Sequence, residues 1–315
     1  MQFNKNSTTI EGKFLEILLK EGCITEKNAE CATKVKLSAA SRTDKNVSAS
    51  FNVIQVKINQ ELTEELKIKL KDAFKIEKIE LYEILRVPNS FLAYKKARSR
   101  EYKYFVPTFV LENNKFLPET KQMDSTYNND VLKHINKQIK IEQVNKFQKI
   151  LQFYVKTHNF HNFTTNKNTK STERHIRSIE VKQPFVYNEI EYVEVLLHGN
   201  SFIIHQIRKM MSFAVANCRY VESMEKIEEN FKLAFSNEKL NISKAPAEYL
   251  MLHNIRFDDY NKQTKYGKIE VNEEKKHKFE KSILHPTILK MENLEQWFIL
   301  FSTFGYHHEN FSYLK

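Results

Sequence analysis

Glycine is nearly missing from this chain: five residues in 315. Neither a G-x-G-x-x-G turn nor a Walker-type loop can be assembled from them, which argues against a glycine-cradled nucleotide and so against most dehydrogenases and ATPases. Cysteine is scarcer still. Cys23, Cys31 and Cys218 include no pair at C-x-x-C spacing, which argues against a zinc ribbon or a disulfide scaffold and suits a reducing compartment. No apolar run approaches the ~18 residues of a membrane span. The opening Met1-Gln2-Phe3-Asn4-Lys5-Asn6 is neither a signal peptide nor an Arg-rich transit helix. No membrane partner is expected, and the expected setting is intracellular. Hydrolysis by an activated serine lacks its G-x-S-x-G elbow, and Ser48 has no evident base.

Positive charge, by contrast, is in excess. Lys and Arg number 50 against 39 Asp and Glu, a net +11, and an excess of that size suits a polyanionic partner such as nucleic acid. A DNA-binding regulator is a weaker reading, because neither a helix-turn-helix nor a zinc pattern accompanies the charge. At 315 residues the chain can bury a sizeable core in one large or two modest domains.

Taken in order, residues 7–21 read as a helix capped by Ser7 or Thr8, striped by Phe14, Leu15, Leu18 and Leu19 and stopped at Gly22. Strand-like runs at 35–39 and 51–58 flank a polar turn. Asn59 is expected to cap a second helix carrying Leu62, Leu66, Leu70 and Phe74. Further strands are expected at 76–87 and 102–109. A polar, Asn/Lys-rich linker spans 113–142. A helix follows at 143–155, then an aromatic and polar loop at 157–164 and a strand pair at 174–185 and 190–198. Helices at 202–220 and 222–235 precede a last strand at 249–257. The charged stretch 261–282 reads as a solvated insertion, and the apolar end with Trp297, Phe298, Leu300 and Phe301 as a helix that packs back. The pattern is α+β: two similar halves, 1–112 and 143–260, each a sheet with helices on one face, with 261–315 as a terminal extension. Halves of this kind set their sheets side by side and leave a central basic cleft.

Three stretches carry chemistry. In Ala40-Ser41-Arg42-Thr43-Asp44-Lys45-Asn46-Val47-Ser48-Ala49, two positive charges flank a carboxylate at a strand end; the bland reading is a surface hairpin turn. In Arg100-Glu101-Tyr102-Lys103-Tyr104 the period of two puts both tyrosines on one strand face, where core packing is the ordinary role. In Ser201-Phe202-Ile203-Ile204-His205-Gln206-Ile207-Arg208-Lys209-Met210-Met211 the apolar residues are dense enough to require burial. Polar residues in a buried helix need partners, and an unpaired buried arginine costs several kcal/mol. Asp44 is a candidate partner for Arg208. His158 and His161, joined by His175 or His205, could hold a metal, but no H-E-x-x-H or Cys-rich companion supports that over structural or RNA-contacting histidines.

Six stretches together resemble a known family, the TruA-type tRNA pseudouridine synthases, and most closely their eukaryotic multisite branch. They are Arg42-Thr43-Asp44-Lys45-x-Val47-Ser48-Ala49, Arg100-x-Tyr102-x-Tyr104-x-x-Pro107-Thr108-Phe109, His158-Asn159-Phe160-His161-Asn162-Phe163-Thr164, Ser201-Phe202-x-x-His205-Gln206-Ile207-Arg208-Lys209-Met210, Lys244-Ala245-Pro246 and His285-Pro286-Thr287-Ile288. Their order fits throughout and they span nearly the whole chain.

The resemblance implies an isomerase that breaks the uracil–ribose C–N bond, turns the base and rejoins it through C5, with neither cofactor nor metal. It implies that Asp44 is the catalytic aspartate, paired with Arg208, and that Tyr102 stacks on the target base and helps remove the C5 proton. Arg42 is expected to occupy the space the flipped base leaves. Lys45, Arg100, His205 and Lys209 are expected to contact the RNA, with Lys95 and Lys96 on the same rim, and Leu250 to line the pocket. The partner implied is tRNA, or another structured RNA, bound by a monomer in nucleus or cytoplasm, with the mitochondrion left open; a catalytically inactive tRNA-binding chaperone of the same fold is the alternative. The sequence departs from the family at Asn46, Ser212 and Tyr249, which stand where glycine is usual; of these Asn46 best tolerates a left-handed backbone. Family members also carry a strand before the first helix. The chain opens at what resembles the end of that pattern, Met1-Gln2, so the first half is expected to lack this strand.

Overall fold

The protein is described by a computed structural model covering residues 8–113, 135–166, 171–306 and 311–314. The opening residues, including Ser7, and most of the 113–142 linker lie outside the described residues. The architecture is mixed α+β, with one main mixed sheet and a separate two-stranded one. The chain divides into two compact units, 1–100 with 252–286 and 101–251 with 287–315. The segment 261–315 is shared between them.

In the first unit, the helix Ile10–Lys20 starts at Thr9, whose hydroxyl accepts from the Gly12 N–H at 3.0 Å. Its buried stripe of Phe14, Leu15 and Leu18 meets Leu66, Leu70 and Phe74 of the helix Glu64–Ile76, with the Phe14 and Phe74 rings 4.3 Å apart. Gly22 ends the first helix at φ +70, a conformation that costs glycine little. The second helix is capped not by Asn59 but by Thr63, whose hydroxyl accepts from the Leu66 N–H at 3.2 Å. The backbone of Asn59 instead donates to the Cys23 carbonyl.

Strands in this unit are shorter than expected. Ser38–Ala39 (β1) and Ile54–Gln55 (β3) form a two-residue antiparallel ladder, Ser38 opposite Gln55 and Ala39 opposite Ile54. Between them Ser48–Ala49 (β2) joins the main sheet. The strand expected at 76–87 is not there: Ile76 closes a helix, Lys78 turns at φ 57 and residues 79–88 have no regular structure. Its apolar residues Ile79, Leu81 and Ile84 pack on the helical core instead, so the alternation reports burial rather than pairing. The stretch 261–282 is also more than a solvated insertion. Asn272 caps the helix Glu273–Phe279, which runs into a π-turn, Glu280–Leu284. Lys276, buried, pairs with Glu273 at 2.8 Å, and Phe279 meets the Tyr82 ring edge-on.

The strands Ser99–Pro107 (β4) and Leu250–Arg256 (β9) each begin in one unit and end in the other. In the second unit they lie beside Ile190–Gly199 (β8), Glu173–Val181 (β6) and Lys156–Asn159 (β5), in the order β9-β4-β8-β6-β5. Phe185–Tyr187 (β7) folds back on β8 through Asn188 and Glu189, both at positive φ. The aromatic loop expected at 157–164 is thus in part an edge strand. Tyr154, Phe160, Phe163, Phe213 and Phe231 form a buried aromatic core between helices Ile141–Gln152, Gln206–Tyr220 and Met224–Phe235. The C-terminal helix Glu295–Tyr306 packs back as expected, its Trp297 ring within 6.3 Å of Tyr104 and 6.1 Å of Tyr249.

Candidate active site

The polar turn of the first unit is built around Asp44, half-buried, between exposed Arg42 and Lys45. The Val47 N–H donates to the Asp44 carbonyl at 3.2 Å, and Asn46 closes the turn at φ 67. That left-handed backbone is the one asparagine tolerates best among residues with a Cβ, so the residue that departs from glycine keeps the conformation glycine serves.

Arg100 belongs to the same unit, and its guanidinium is engaged with backbone. Nη2 donates to the Ala40 carbonyl at 3.1 Å and to Tyr94 at 3.2 Å; Nη1 donates to Ala97 at 3.3 Å. The residue expected at the RNA therefore ties the start of β4 to the base of the Asp44 turn. Asn52, which the motifs do not single out, performs a similar task on Ser41. Its one signal in the sequence is an asparagine inside a run of β-formers, where asparagine is disfavoured.

In the second unit, Tyr102 is buried on β4, edge-on to Phe202 with ring centroids 5.2 Å apart. Two residues on, the Tyr104 hydroxyl donates to the Pro246 carbonyl at 2.8 Å. Burial pushes the pKa of this phenol well above its ordinary value, against a smaller opposing pull from the Arg208 charge, so it serves as a hydrogen-bond donor. Arg208 and Ala245 bond twice: Arg208 Nε donates to the Ala245 carbonyl at 2.7 Å, and the Ala245 N–H donates back to the Arg208 carbonyl at 3.0 Å. The Lys244-Ala245-Pro246 motif is thereby the surface on which Arg208 and Tyr104 are set. Leu250 follows it at the start of β9, buried, its N–H donating to Ala247.

The helix expected from Phe202 begins only at Gln206, because His205 adopts φ 64 as its N-cap. Lys209, one turn in, donates to the Asn162 carbonyl at 3.0 Å, and burial, then the charge of Lys244, hold its ammonium below the ordinary lysine range. Asn162 also bonds Ala234, Glu238 and Leu240, so the His158–Thr164 motif is a structural junction. His158 stacks on Phe235 at 4.1 Å, and His161 Nε2 lies 3.2 Å from the Glu238 carbonyl. Among the described residues no group of three or more His, Cys, Asp or Glu is placed to hold a metal ion. The structure thus gathers Arg42, Asp44, Lys45 and Arg100 in one unit and Tyr102, His205, Arg208, Lys209 and Leu250 in the other.

Known proteins resemble the chain at two levels. A family profile described as tRNA pseudouridine synthase matches residues 150–258. The chain is 30% identical to tRNA pseudouridine synthase 1 of Kluyveromyces lactis over 83% of its own length and 58% of that protein's. It is 29% identical to the human pseudouridylate synthase 1 homolog, over 94% of its own length and 68% of the human chain. The Schizosaccharomyces pombe tRNA pseudouridine synthase 1 matches at 26% over the whole chain and 82% of the relative. These matches make the chain similar to the family of tRNA pseudouridine synthases, by profile over residues 150–258 and by relatives over most of its own length. Within it, these relatives are the eukaryotic proteins named tRNA pseudouridine synthase 1 or pseudouridylate synthase 1 homolog, and the chain spans under two thirds of the Kluyveromyces lactis protein's length.

Proposed function

We propose that this chain isomerises uridine to pseudouridine in tRNA, with Asp44 as the catalytic carboxylate. The observation that supports it most is the Asp44 turn itself, which keeps Arg42, Asp44 and Lys45 and holds Asn46 in the left-handed conformation. The reaction breaks the C1′–N1 bond, forms C1′–C5, and moves the C5 proton off carbon while N1 gains one, so nothing is consumed. Asp44 acts on the ribose or assists removal of its proton, and Arg208 is the partner proposed to hold it ionised. Tyr102 stacks on the detached uracil, and Leu250 closes the pocket beneath it. Arg42 takes the place of the flipped nucleotide, whose extrusion costs a few kcal/mol. Lys45, His205 and Lys209 contact the RNA, with binding that weakens as salt rises.

The proposal carries with it the side-by-side halves and basic cleft that the family resemblance implies; the +11 net charge supports its basic character. The enzyme acts as a monomer in nucleus or cytoplasm. Tritium release from tRNA labelled at uridine C5 tests the activity, with Asp44→Ala as control. Release that depends on Asp44 supports the reading. tRNA binding without release would instead mark a chaperone of this fold, and undiminished release in the mutant would refute the role of Asp44.

A further inference from the structure

The turn that carries Asp44 has very little sheet to hold it. The β1–β3 ladder ends at Ala39 and Ile54, and one more main-chain bond, from Ala40 N–H to the Val53 carbonyl at 2.8 Å, extends it. At Ser41 a side chain takes over. The Asn52 carboxamide accepts from the Ser41 N–H at 3.3 Å and donates to the Ser41 carbonyl at 2.9 Å, while its oxygen also accepts from the Val53 N–H at 2.8 Å. One amide thus reproduces the donor-and-acceptor exchange of an antiparallel residue pair. The neighbouring carbonyl, Ala40, is held by Arg100, which reaches Tyr94 and Ala97 with the same guanidinium. At the far end the Ser50 N–H donates to Leu252 at 2.8 Å and the Tyr82 hydroxyl donates to the Ser50 carbonyl at 3.1 Å.

We infer that Asn52 and Arg100 are positioning residues that together aim the Asp44 carboxylate, a role that rests on the proposed activity. Asp44 lies only three residues beyond Ser41, so the orientation of the Ser41 peptide sets the direction in which the turn leaves the sheet. A catalytic group must be held to within about 0.5 Å by locked supports. The two supports act on adjacent residues from different elements: Asn52 fixes the turn against its own return strand, and Arg100 fixes it against the start of β4, the strand that carries Tyr102. The geometry needs a flat fork on one side, since three carbonyls converge on one guanidinium, and lysine, a single point charge, cannot span them.

The test compares single-turnover tritium release with tRNA affinity in Asn52→Ala, Asn52→Asp and Arg100→Lys, each also followed by thermal unfolding. Asn52→Ala and Arg100→Lys are expected to slow release by about tenfold to a hundredfold, the cost of a misplacement on the order of 1 Å, while tRNA affinity changes by no more than about twofold. Asn52→Asp retains the acceptor for the Ser41 and Val53 N–H groups but turns an oxygen toward the Ser41 carbonyl. It is expected to slow release similarly, and it stands in for Asn52→Ala should that variant fail to fold. In an Asp44→Asn background Asn52→Ala is expected to cost nothing further, because groups that act as a unit are not additive.

Loss of tRNA affinity in step with rate would make Arg100 an RNA contact and overturn the inference. So would a rate unchanged in a folded Arg100→Lys and Asn52→Asp. No Asp44-dependent release from the wild-type chain would instead fail the proposed activity, a distinct result.

Discussion

In the second unit, β6 and β8 run for nine and ten residues, and their ladder extends from Ile176 opposite Gly199 to Val181 opposite Val195. Side chains add bonds at the margins: Gln148 accepts from the Val181 N–H at 2.6 Å, Gln152 donates to the Ile179 carbonyl at 2.9 Å, and Thr108 donates to the Glu191 carbonyl at 3.3 Å. In the first unit β1, β2 and β3 are two residues each. There, side chains finish what the ladders leave. Gln55 accepts from the Ala93 N–H at 2.6 Å, Gln60 donates to Gly22 at 2.7 Å, and Asn52, Tyr82 and Arg100 hold the ends of the Asp44 turn. A buried main-chain group left unpaired costs roughly 1–3 kcal/mol. Polar side chains thus replace sheet in the first unit, while longer ladders and aromatic packing dominate the second.

The contrast can be broken from either side. Asp44→Asn is expected to cut tritium release by about a thousandfold or more, within the range for a positioned acid–base group or beyond it. Its unfolding transition should move far less than its rate; a large fall in stability would mean that Asp44 is part of the first unit's scaffold instead. Phe163→Ala is expected to destabilise the second unit by about 3–5 kcal/mol, because a fully buried ring among Tyr154, Phe160 and Phe213 leaves a cavity. Denaturant unfolding read by near-ultraviolet dichroism would report it.

Smaller effects sharpen the comparison. Thr63→Ala removes the cap of the Glu64–Ile76 helix and is expected to cost about 1 kcal/mol by denaturant unfolding, whereas Asn59→Ala should leave that helix's cap intact. His158 gives the least. Burial lowers its proton affinity from the ordinary value of 6.5, so the unfolded chain binds the proton more readily. Stability is therefore expected to fall as the pH drops below 6.5 and to level off below the folded value. His158→Phe should remove this acid loss, as read by unfolding midpoints on both sides of that pH.

Helical stripes were legible in advance, Phe14 and Leu18 in one and Val144, Phe147 and Leu151 in another, but the cap of the first helix is Thr9, one residue past the expected Thr8. The β6–β8 pair was legible too, although Ile176 and Ile179, three residues apart, are both buried through a register shift between Ile176 and Ser178 that alternation does not foretell. The cap of the second helix was not. Asn59 and Thr63 are both good capping residues, and the choice fell to Thr63 because Asn59 is held to Cys23. The run 76–87 misled because a segment lying on a helical core shows the same alternation as a strand. Within the candidate site, the Asp44 turn, Tyr102 and Arg208 were legible as motif residues, and Leu250 by its likeness to an apolar residue of the family. The double bond between Arg208 and Ala245, and the task of Asn52, were not, because each pairs a side chain with a backbone group chosen by the fold.

By itself the sequence determined the local conformations and the chemistry available. Asn46 can turn left-handed, Thr9 can cap, aromatics must be buried, and an aspartate stands among cations. Those properties depend on a residue and its near neighbours. Tertiary structure decided which polar groups became supports. Arg100 and Lys209 carry the same kind of charge as Arg42 and Lys45, but they found carbonyls within reach, whereas Arg42 and Lys45 remain on the surface. A charged side chain near an unsatisfied carbonyl is drawn to it, and the fold sets where those carbonyls fall: Ala40 just past the two-residue β1, Asn162 in the turn after β5.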